Sequence, residues 1–411
     1  MSNRKTVKEK NKELSKEGKQ VKNYGIVLRI YPGDIQKLLI RQTFGCSRLI
    51  YNKYLATRQE YYKNTGKTLS AYDYKSNYLN PMKQLEEYSF LKSVDKFALE
   101  VAVENVDDAY ARFFKGQNWF PKFKSKHKAR QTYTTKFTNN NIEIIGDYIK
   151  LPKLKLVKFN MPNKKHLSEN FKKLINKESK IKKVTITEKA SKYYASICCE
   201  EVVDMIKPLD LTIIESDKVI GIDLGLVDFA TINNGEVEEK IPSPKYFRKA
   251  ENKLAKEQRR LSKKQRGSKN FMKAKQKVAK VNEKVANQRK DFAHQLSRRL
   301  VNENQVVVVE DLNIKGMVKN KKLAKSISDA GWSRFITYLD YKLKSEGKYL
   351  IKVDRWFASS KLCSICKERN IMLTLNDRTW VCNSCRVEHD RDVNASLNIR
   401  NEGIRLFKSA A

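Results

Sequence analysis

Two groups of side chains in this chain have the types and spacing that metal chemistry requires. The first is Cys363-x2-Cys366 followed, fifteen residues on, by Cys382-x2-Cys385. Each CxxC pair makes a knuckle, and four thiolates close a tetrahedral zinc site with no position left for water. Such a site folds a segment or touches a partner and does not itself catalyse. His389 lies just beyond and is expected at the surface or beside the sulfurs, since four ligands are already present. The second group is acidic. Asp223 follows the apolar run Val219, Ile220, Ile222, and Glu310 ends the run Val306 to Val309. A carboxylate at the end of a buried strand is costly to ionise unless a cation stabilises it, and a hard divalent ion is the usual solution. Each acid also has a plainer reading as a turn or cap residue. A third acid should come from DRDVNAS, where the pattern from Val393 begins a helix. Asp392 suits either the helix dipole or a metal, and Asp390 competes with it.

These acids need elements that bring them together. VIGIDLGLVDFATINNG reads as a strand, a tight glycine-containing section, a second strand ending at Ile232 and an Asn-Asn-Gly hairpin turn. Residues 244–300 read as two basic helices broken at LSKKQRGSKN. The four-valine strand comes next, then helical patterning over 327–346 and a last strand, Tyr349 to Val353. Strands ending in acids, with helices between and one acid on a late helix, are what an RNase H-like α/β fold needs. Such a fold can hold two Mg2+ or Mn2+ ions about 3.5–4 Å apart for phosphodiester cleavage.

The first half has a different pattern. Tyr24 to Ile30 has strand character, and residues 35–114 carry helical spacing with interruptions at Asn64-Thr65-Gly66 and Asn80-Pro81. Phe113 to Phe137 interleaves aromatics with Lys and Arg, which suits phosphate pairing and base stacking. Short strands follow at 142–145, 148–151, 154–159, 183–187 and 193–199, and a small antiparallel barrel is expected from them. The 85 Lys and Arg against 46 Asp and Glu give a formal net charge of +39. Repulsion on that scale calls for a polyanion, and nucleic acid is the expected partner. No apolar run approaches a membrane span, no basic amphipathic anchor stands out, and the charged N-terminus lacks the apolar core of a secretory signal. Seven cysteines, four of them in the CxxC pairs, fit a reducing compartment. A cytoplasmic or nucleoid-associated protein is expected, with Cys46, Cys198 and Cys199 as buried apolar residues.

In this order, GIDLG, VVVVEDLNIKGM, SSKLCSIC, CNSC and DRDVNAS resemble the split RuvC-type nuclease of the TnpB family, the OrfB-type proteins of IS200/IS605 transposons. RIYPGDIQKLLIRQTFGCSRLIYNKYL, FPKFKSK and the segment from Arg259 to Val301 also resemble that family, so the likeness covers nearly the whole chain. The length fits it better than the larger type V CRISPR effectors. The charged N-terminus (1–23) reads as a basic flexible arm, and the resemblance, which covers the chain beyond it, implies a wedge-like β-barrel (24–34 and 115–205) and an inserted helical recognition lobe (35–114). It further implies a split RuvC-like nuclease (218–358 and 387–411) interrupted by a zinc ribbon (359–386). The family's catalytic triad carries over to Asp223, Glu310 and, in DxNA, Asp392. The implied activity is RNA-guided cleavage of double-stranded DNA beside a short transposon-adjacent motif, with a guide RNA from the element's right end. Implied cofactors are a two-ion Mg2+ (or Mn2+) site and one structural Zn2+. Arg48, Asn52, Lys53, Phe120, Lys122, Lys124 and Lys126 are candidate nucleic-acid contacts from charge and family position. The family often has Gly after each knuckle's second Cys, where this chain has Lys367 and Arg386. Three rivals remain: an RNA-guided binder whose nuclease has decayed, a transposase that joins strands itself, and a zinc-ribbon structural or transcription-associated module, which would leave Asp223 and Glu310 without a role. A tyrosine-nucleophile transposase usually has a His-rich metal site, and His127, His166, His294 and His389 are scattered.

Overall fold

Apolar residues at every second position bury Ile26, Leu28 and Ile30 and turn Val27 and Arg29 outward. That period-two burial makes strand β1 (Lys19–Tyr31). The structure, a computed structural model, describes residues 6–127, 129–161, 167–374 and 377–409. The first five residues of the expected arm, Lys128 of the basic stretch and His166 therefore lie outside the described residues. The chain divides between Met205 and Ile206 into two units.

In the first unit, β1 joins β2 (Gln131–Lys136), β3 (Glu143–Ile145), β4 (Tyr148–Leu151), β5 (Lys155–Phe159), β6 (Lys180–Lys189) and β7 (Lys192–Asp204). They form one antiparallel sheet of order β2-β6-β7-β1-β5-β4-β3. Among the described residues no pairing joins β2 to β3, so the expected barrel is an open sheet. Tyr133 of β2 and Ile149 of β4 nevertheless share one core. The helices Asp34–Thr65 and Lys96–Phe114 pack a second core around Ile50, Tyr54, Leu99 and Val103. The first of them stops where expected, at Gly66 with φ +67°.

The expected mobile arm is a correction. Val7–Leu14 is a helix, and β1 already begins at Lys19, paired with Asp204. Thr6 and Glu9 form a capping box, with Thr6 N–H donating to Glu9 Oε2 at 2.6 Å. The dense charge of the segment masks that local signal.

In the second unit, β8 (Val219–Asp223), β9 (Asp228–Asn233) and β10 (Glu238–Pro242) run as an antiparallel meander. β11 (Val306–Glu310) then pairs parallel to β8, and β12 (Tyr349–Val353) parallel to β11. Parallel neighbours need crossovers. The helices Tyr246–Ser262 and Lys269–Glu303 lead into β11, and Trp332–Lys344 leads into β12. One face of the sheet buries Ile222, Phe229, Leu296 and Phe335, and the other buries Val219, Val306, Val308 and Ile399. Burial on both faces is why these strands read as unbroken apolar runs. Among the described residues, no helix is long and apolar enough to cross a membrane.

The C-terminal helix Arg391–Lys408 covers the second face, and two glycines set how close it lies. A Cβ at Gly221 of β8 would stand 2.1 Å from Ser396 O and 2.5 Å from Arg400 N. A Cβ at Gly403 would meet Val308 Cγ2 at 2.3 Å. Arg400, itself buried, fixes the register by donating to Val219 O and to Ser216 O. Gly221→Ala must therefore lift the helix, because backbone atoms cannot swing away. We expect a loss of roughly 3 kcal/mol or more, the upper end for overpacking, read as a lower melting temperature. A variant as stable as the parent would contradict this packing.

Candidate metal centres

Asp223 and Glu310 are the last residues of neighbouring parallel strands, so both carboxylates stand at the same end of the sheet. The C-terminal helix, seated on Gly221, carries Asp392 in its first turn. Burial, and then the negative charges of Glu310 and Asp392, push the Asp223 carboxyl up to about 7, with Arg391 opposing. Burial likewise raises Glu310, against a hydrogen bond from Ser359. Ser359 Oγ donates to Glu310 Oε1 at 2.5 Å, and Arg378 lies 3.4 Å from Asp392 Oδ2. Glu310 and Asp392 act on Asp223 through their field rather than by contact. Among the described residues, the four cysteines are the set whose ligand atoms all lie within 4.8 Å of one another. A carboxyl raised this far by burial and then by neighbouring negative charge is what a hard divalent cation relieves, so the donor set fits one.

The competition between Asp390 and Asp392 comes down to the helix start. Asp390 is the N-cap, accepting from Asp392 N at 3.1 Å and Val393 N at 3.0 Å. Its other oxygen takes Lys240 Nζ at 2.6 Å. Against the pull of burial, Lys240 and these amides hold the Asp390 carboxyl low. Its oxygens are thus engaged in capping and pairing, whereas the Asp392 side chain does not cap the helix.

The two knuckles are near copies. Cys363 N–H donates to Glu368 O and Lys367 N–H to Cys363 O, while Cys382 N–H donates to Val387 O and Arg386 N–H to Cys382 O. Sulfurs of opposite knuckles lie 3.6 Å apart (Cys363, Cys385) and 3.5 Å apart (Cys366, Cys382). The Glu368 amide and then the neighbouring thiols lower Cys366, while, against the Val387 amide, burial and the same thiols raise Cys385, so without a metal the sulfurs compete for protons. His389 is buried, with Nε2 3.1 Å from Cys363 Sγ. Were zinc bound, the thiolate would carry no proton and the ring would donate to it, an orienting role rather than a ligand's. Strand pairing continues past the second knuckle: β13 (Thr379–Val381) pairs with β14 (Glu388–Asp390), whose last residue is the helix cap.

Lys367 and Arg386 adopt φ +65° and +60°, the left-handed turn that favours glycine. Such a conformation costs a non-glycine residue about 1–2 kcal/mol, and glycine's looser unfolded chain returns part of it. The double variant Lys367→Gly/Arg386→Gly is expected to release zinc to a chelator several-fold more slowly. Faster release would mean that these side chains contribute more than their turns cost.

Several working residues were invisible in the sequence. Asn394 clamps the ribbon's stem to the helix, accepting from Ser364 N at 2.9 Å and donating to Leu362 O at 2.8 Å. Asn398 donates to Ser359 O at 2.9 Å. Ser359, Asn394 and Asn398 lie in SSKLC and DVNASLN, where only the flanking Cys and Asp drew notice.

The candidate nucleic-acid residues fall in the first unit. Arg48 and Lys124 line a cavity of about 330 Å³ with Asn105 and Arg130. Asn52 does not face it freely, since its amide both accepts from Lys124 N at 2.8 Å and donates to Lys124 O at 2.9 Å. Lys124 Nζ sits 3.5 Å above the Tyr51 ring and Lys53 Nζ 4.7 Å above Tyr88. Phe120 packs edge-on against Tyr110 and Phe113, whereas Lys122 and Lys126 are exposed.

Comparison with known proteins adds the following. A family model described as "Probable transposase", for OrfB of IS605, matches residues 196–321, and a Cas12f1-like TNB domain model matches 332–399. A helix-turn-helix model of the same OrfB group matches 23–67, yet that span holds the end of β1 and one unbroken helix. A Streptomyces pristinaespiralis protein named "Putative RNA-guided DNA endonuclease" is 38% identical over 92% of this chain and 88% of its own length. "Putative RNA-guided DNA endonuclease InsQ" of Escherichia coli K12 is 27% identical over 90% of each. Among solved structures, the chain of a Cas12f1-sgRNA-target DNA complex matches with TM-score 0.57 and 16% identity, over 93% of this chain and 99% of that one.

Proposed function

Because the chain belongs to the TnpB family of OrfB-type proteins, we propose that it is an RNA-guided DNA endonuclease of a transposable element. On this reading it cleaves double-stranded DNA beside a short adjacent motif, directed by a guide RNA from the element's right end. Its cofactors would be a structural Zn2+ and a two-ion Mg2+ or Mn2+ site. The second unit is then an RNase H-like RuvC nuclease interrupted by a zinc ribbon, and the first a wedge with a helical recognition lobe. A net charge of +39 suits a protein that holds RNA and heteroduplex by their backbones while base pairing reads the sequence.

The observation that carries the nuclease reading is the placement of three acids: Asp223 and Glu310 end neighbouring parallel strands, and the helix seated on Gly221 carries Asp392 in its first turn. Asp223, Glu310 and Asp392 would hold the divalent ions, which when bound supply positive charge to attacking and leaving oxygens in in-line phosphodiester hydrolysis. The rest falls to this chain's own groups. Asp223 gives up its proton as the site fills. Ser359 aims Glu310, and the Asp390 cap with the Gly221 contact fixes the helix that bears Asp392. The four cysteines would hold zinc away from the chemistry. Sequencing the RNA that copurifies with the protein tests the guide directly. A single species that runs from the element's right end into flanking sequence is expected, and a random sample of cellular RNA would contradict it.

A further inference from the structure

Trp356 is 84% exposed, whereas the second unit's other tryptophans, Trp332 and Trp380, are 2% and 7% exposed. Leaving so large an apolar ring in water is unfavourable unless something covers it. The loop that carries it is not loose. Trp356 N–H donates to Asp354 Oδ1 at 2.8 Å, and Phe357 N–H to Asp354 O at 3.0 Å. On one side Arg355 pairs with Asp311 at 2.8 Å, and on the other Phe357 packs on the core around Val219 and Val306. Only the residue between these anchors points its ring into solvent.

Both ends of this loop are tied to Glu310. Val353 is its register partner on β12, and Ser359 is its hydrogen-bond partner. Trp356 is the midpoint, three residues and so at most about 10 Å of chain from either anchor, and one strand spacing of about 5 Å more reaches that acid. This is a reach of no more than about three nucleotides from a scissile phosphate held by the acids.

We infer that Trp356 is a stacking platform for an unpaired DNA base next to the bond being cut, and so helps select single-stranded over duplex substrate. This rests on the nuclease reading above. A base inside a duplex has both faces covered by its neighbours and offers none to an indole, whereas a displaced strand does. Stacking of this kind tolerates any base, as a guide-directed enzyme requires. The surrounding excess of Lys and Arg supplies the phosphate attraction but not the choice between single and double strands.

The test uses the full chain with its copurified RNA. In Trp119→Phe, Trp356 is the one strongly exposed tryptophan left among the described residues. A dT oligonucleotide in magnesium-free buffer should quench its emission saturably, and Trp119→Phe/Trp356→Phe should lose that signal. With Mg2+ and matching DNA, Trp356→Ala should raise KM roughly 5- to 150-fold, the ~1–3 kcal/mol of a stacked base, with kcat little changed. Trp356→Phe should recover most of the loss, which a merely structural role would not predict. No quench in Trp119→Phe, a quench that survives the second substitution, or unaltered cutting by Trp356→Ala would overturn the proposal. Should the unmodified chain cut nothing, the nuclease reading fails instead, and the quench still reports on Trp356.

Discussion

Asp223→Asn is expected to abolish cutting and, at the same time, to stabilise the protein in the absence of magnesium. The ordinary aspartate value is 3.8, and in the folded chain burial, Glu310 and Asp392 raise it to about 7. Between those values the folded state binds more protons than the unfolded one, so stability falls as pH rises through this window. Below pH 4 nothing is lost, and above pH 7 the whole cost of ionisation is present. Three pKa units correspond to about 4 kcal/mol, and the carboxylate's remaining contact with water reduces that to roughly 2–4 kcal/mol. Asparagine keeps the shape without the charge. At pH 8, with zinc retained, the variant should melt ~5 °C or more above the parent, and the gap should close by pH 4. Mg2+ should raise the parent's melting temperature and leave the variant's unmoved. The rate of cleavage should drop by a thousandfold or more, several kcal/mol of transition-state stabilisation. Equal melting curves at pH 8 would mean that burial, Glu310 and Asp392 do not raise the Asp223 carboxyl as described.

Asp392→Ala and Asp390→Ala should separate although the two residues are neighbours. Removing Asp392 takes away one of three acids while leaving the cap, the knuckles and the Asn394 clamp intact. Zinc and RNA should stay bound, with cutting lost by a similar thousandfold. Removing Asp390 exposes the amides of Asp392 and Val393 and frees Lys240. That should cost about 1–2 kcal/mol of stability, the usual value of an N-cap, and cutting should persist at permissive temperature. The reverse pattern, with Asp390→Ala dead and Asp392→Ala active, would assign the metal to the wrong aspartate. Zinc content measured alongside separates a lost ligand from an unfolded ribbon.

What could be read from the sequence followed from how strongly each segment's chemistry is localised. β8, β11 and β12 were legible because burial on both faces forces unbroken apolar runs, and their terminal acids stand out against valine and isoleucine. The four cysteines were legible because zinc knuckles fix their spacing. β2 was not, since Gln131–Lys136 carries one tyrosine among threonines and was absorbed into the basic, aromatic stretch from Phe113 to Phe137. Nor was β14, whose Glu-His-Asp carries no apolar alternation and pairs only because the ribbon folds back. The roles of Asp390 and Asp392 could not be told apart, because both sit where a helix begins and only the cap's hydrogen bonds distinguish them. Ser359 was hidden for another reason. Its partner Glu310 is forty-nine residues away, and that bond exists only once β11 and the ribbon's stem are in place.

The most direct measurement is cleavage of a plasmid that carries the sequence matched by the copurifying RNA, with Mg2+ present. The intact complex should linearise that plasmid and spare an unmatched one, and RNase treatment during purification should abolish the activity. Cutting that survives RNase, or that joins strands instead of hydrolysing them, would contradict RNA-guided cleavage and favour a transposase. Tight, guide-dependent binding without any cut, unchanged by Asp223→Ala, would contradict the nuclease itself.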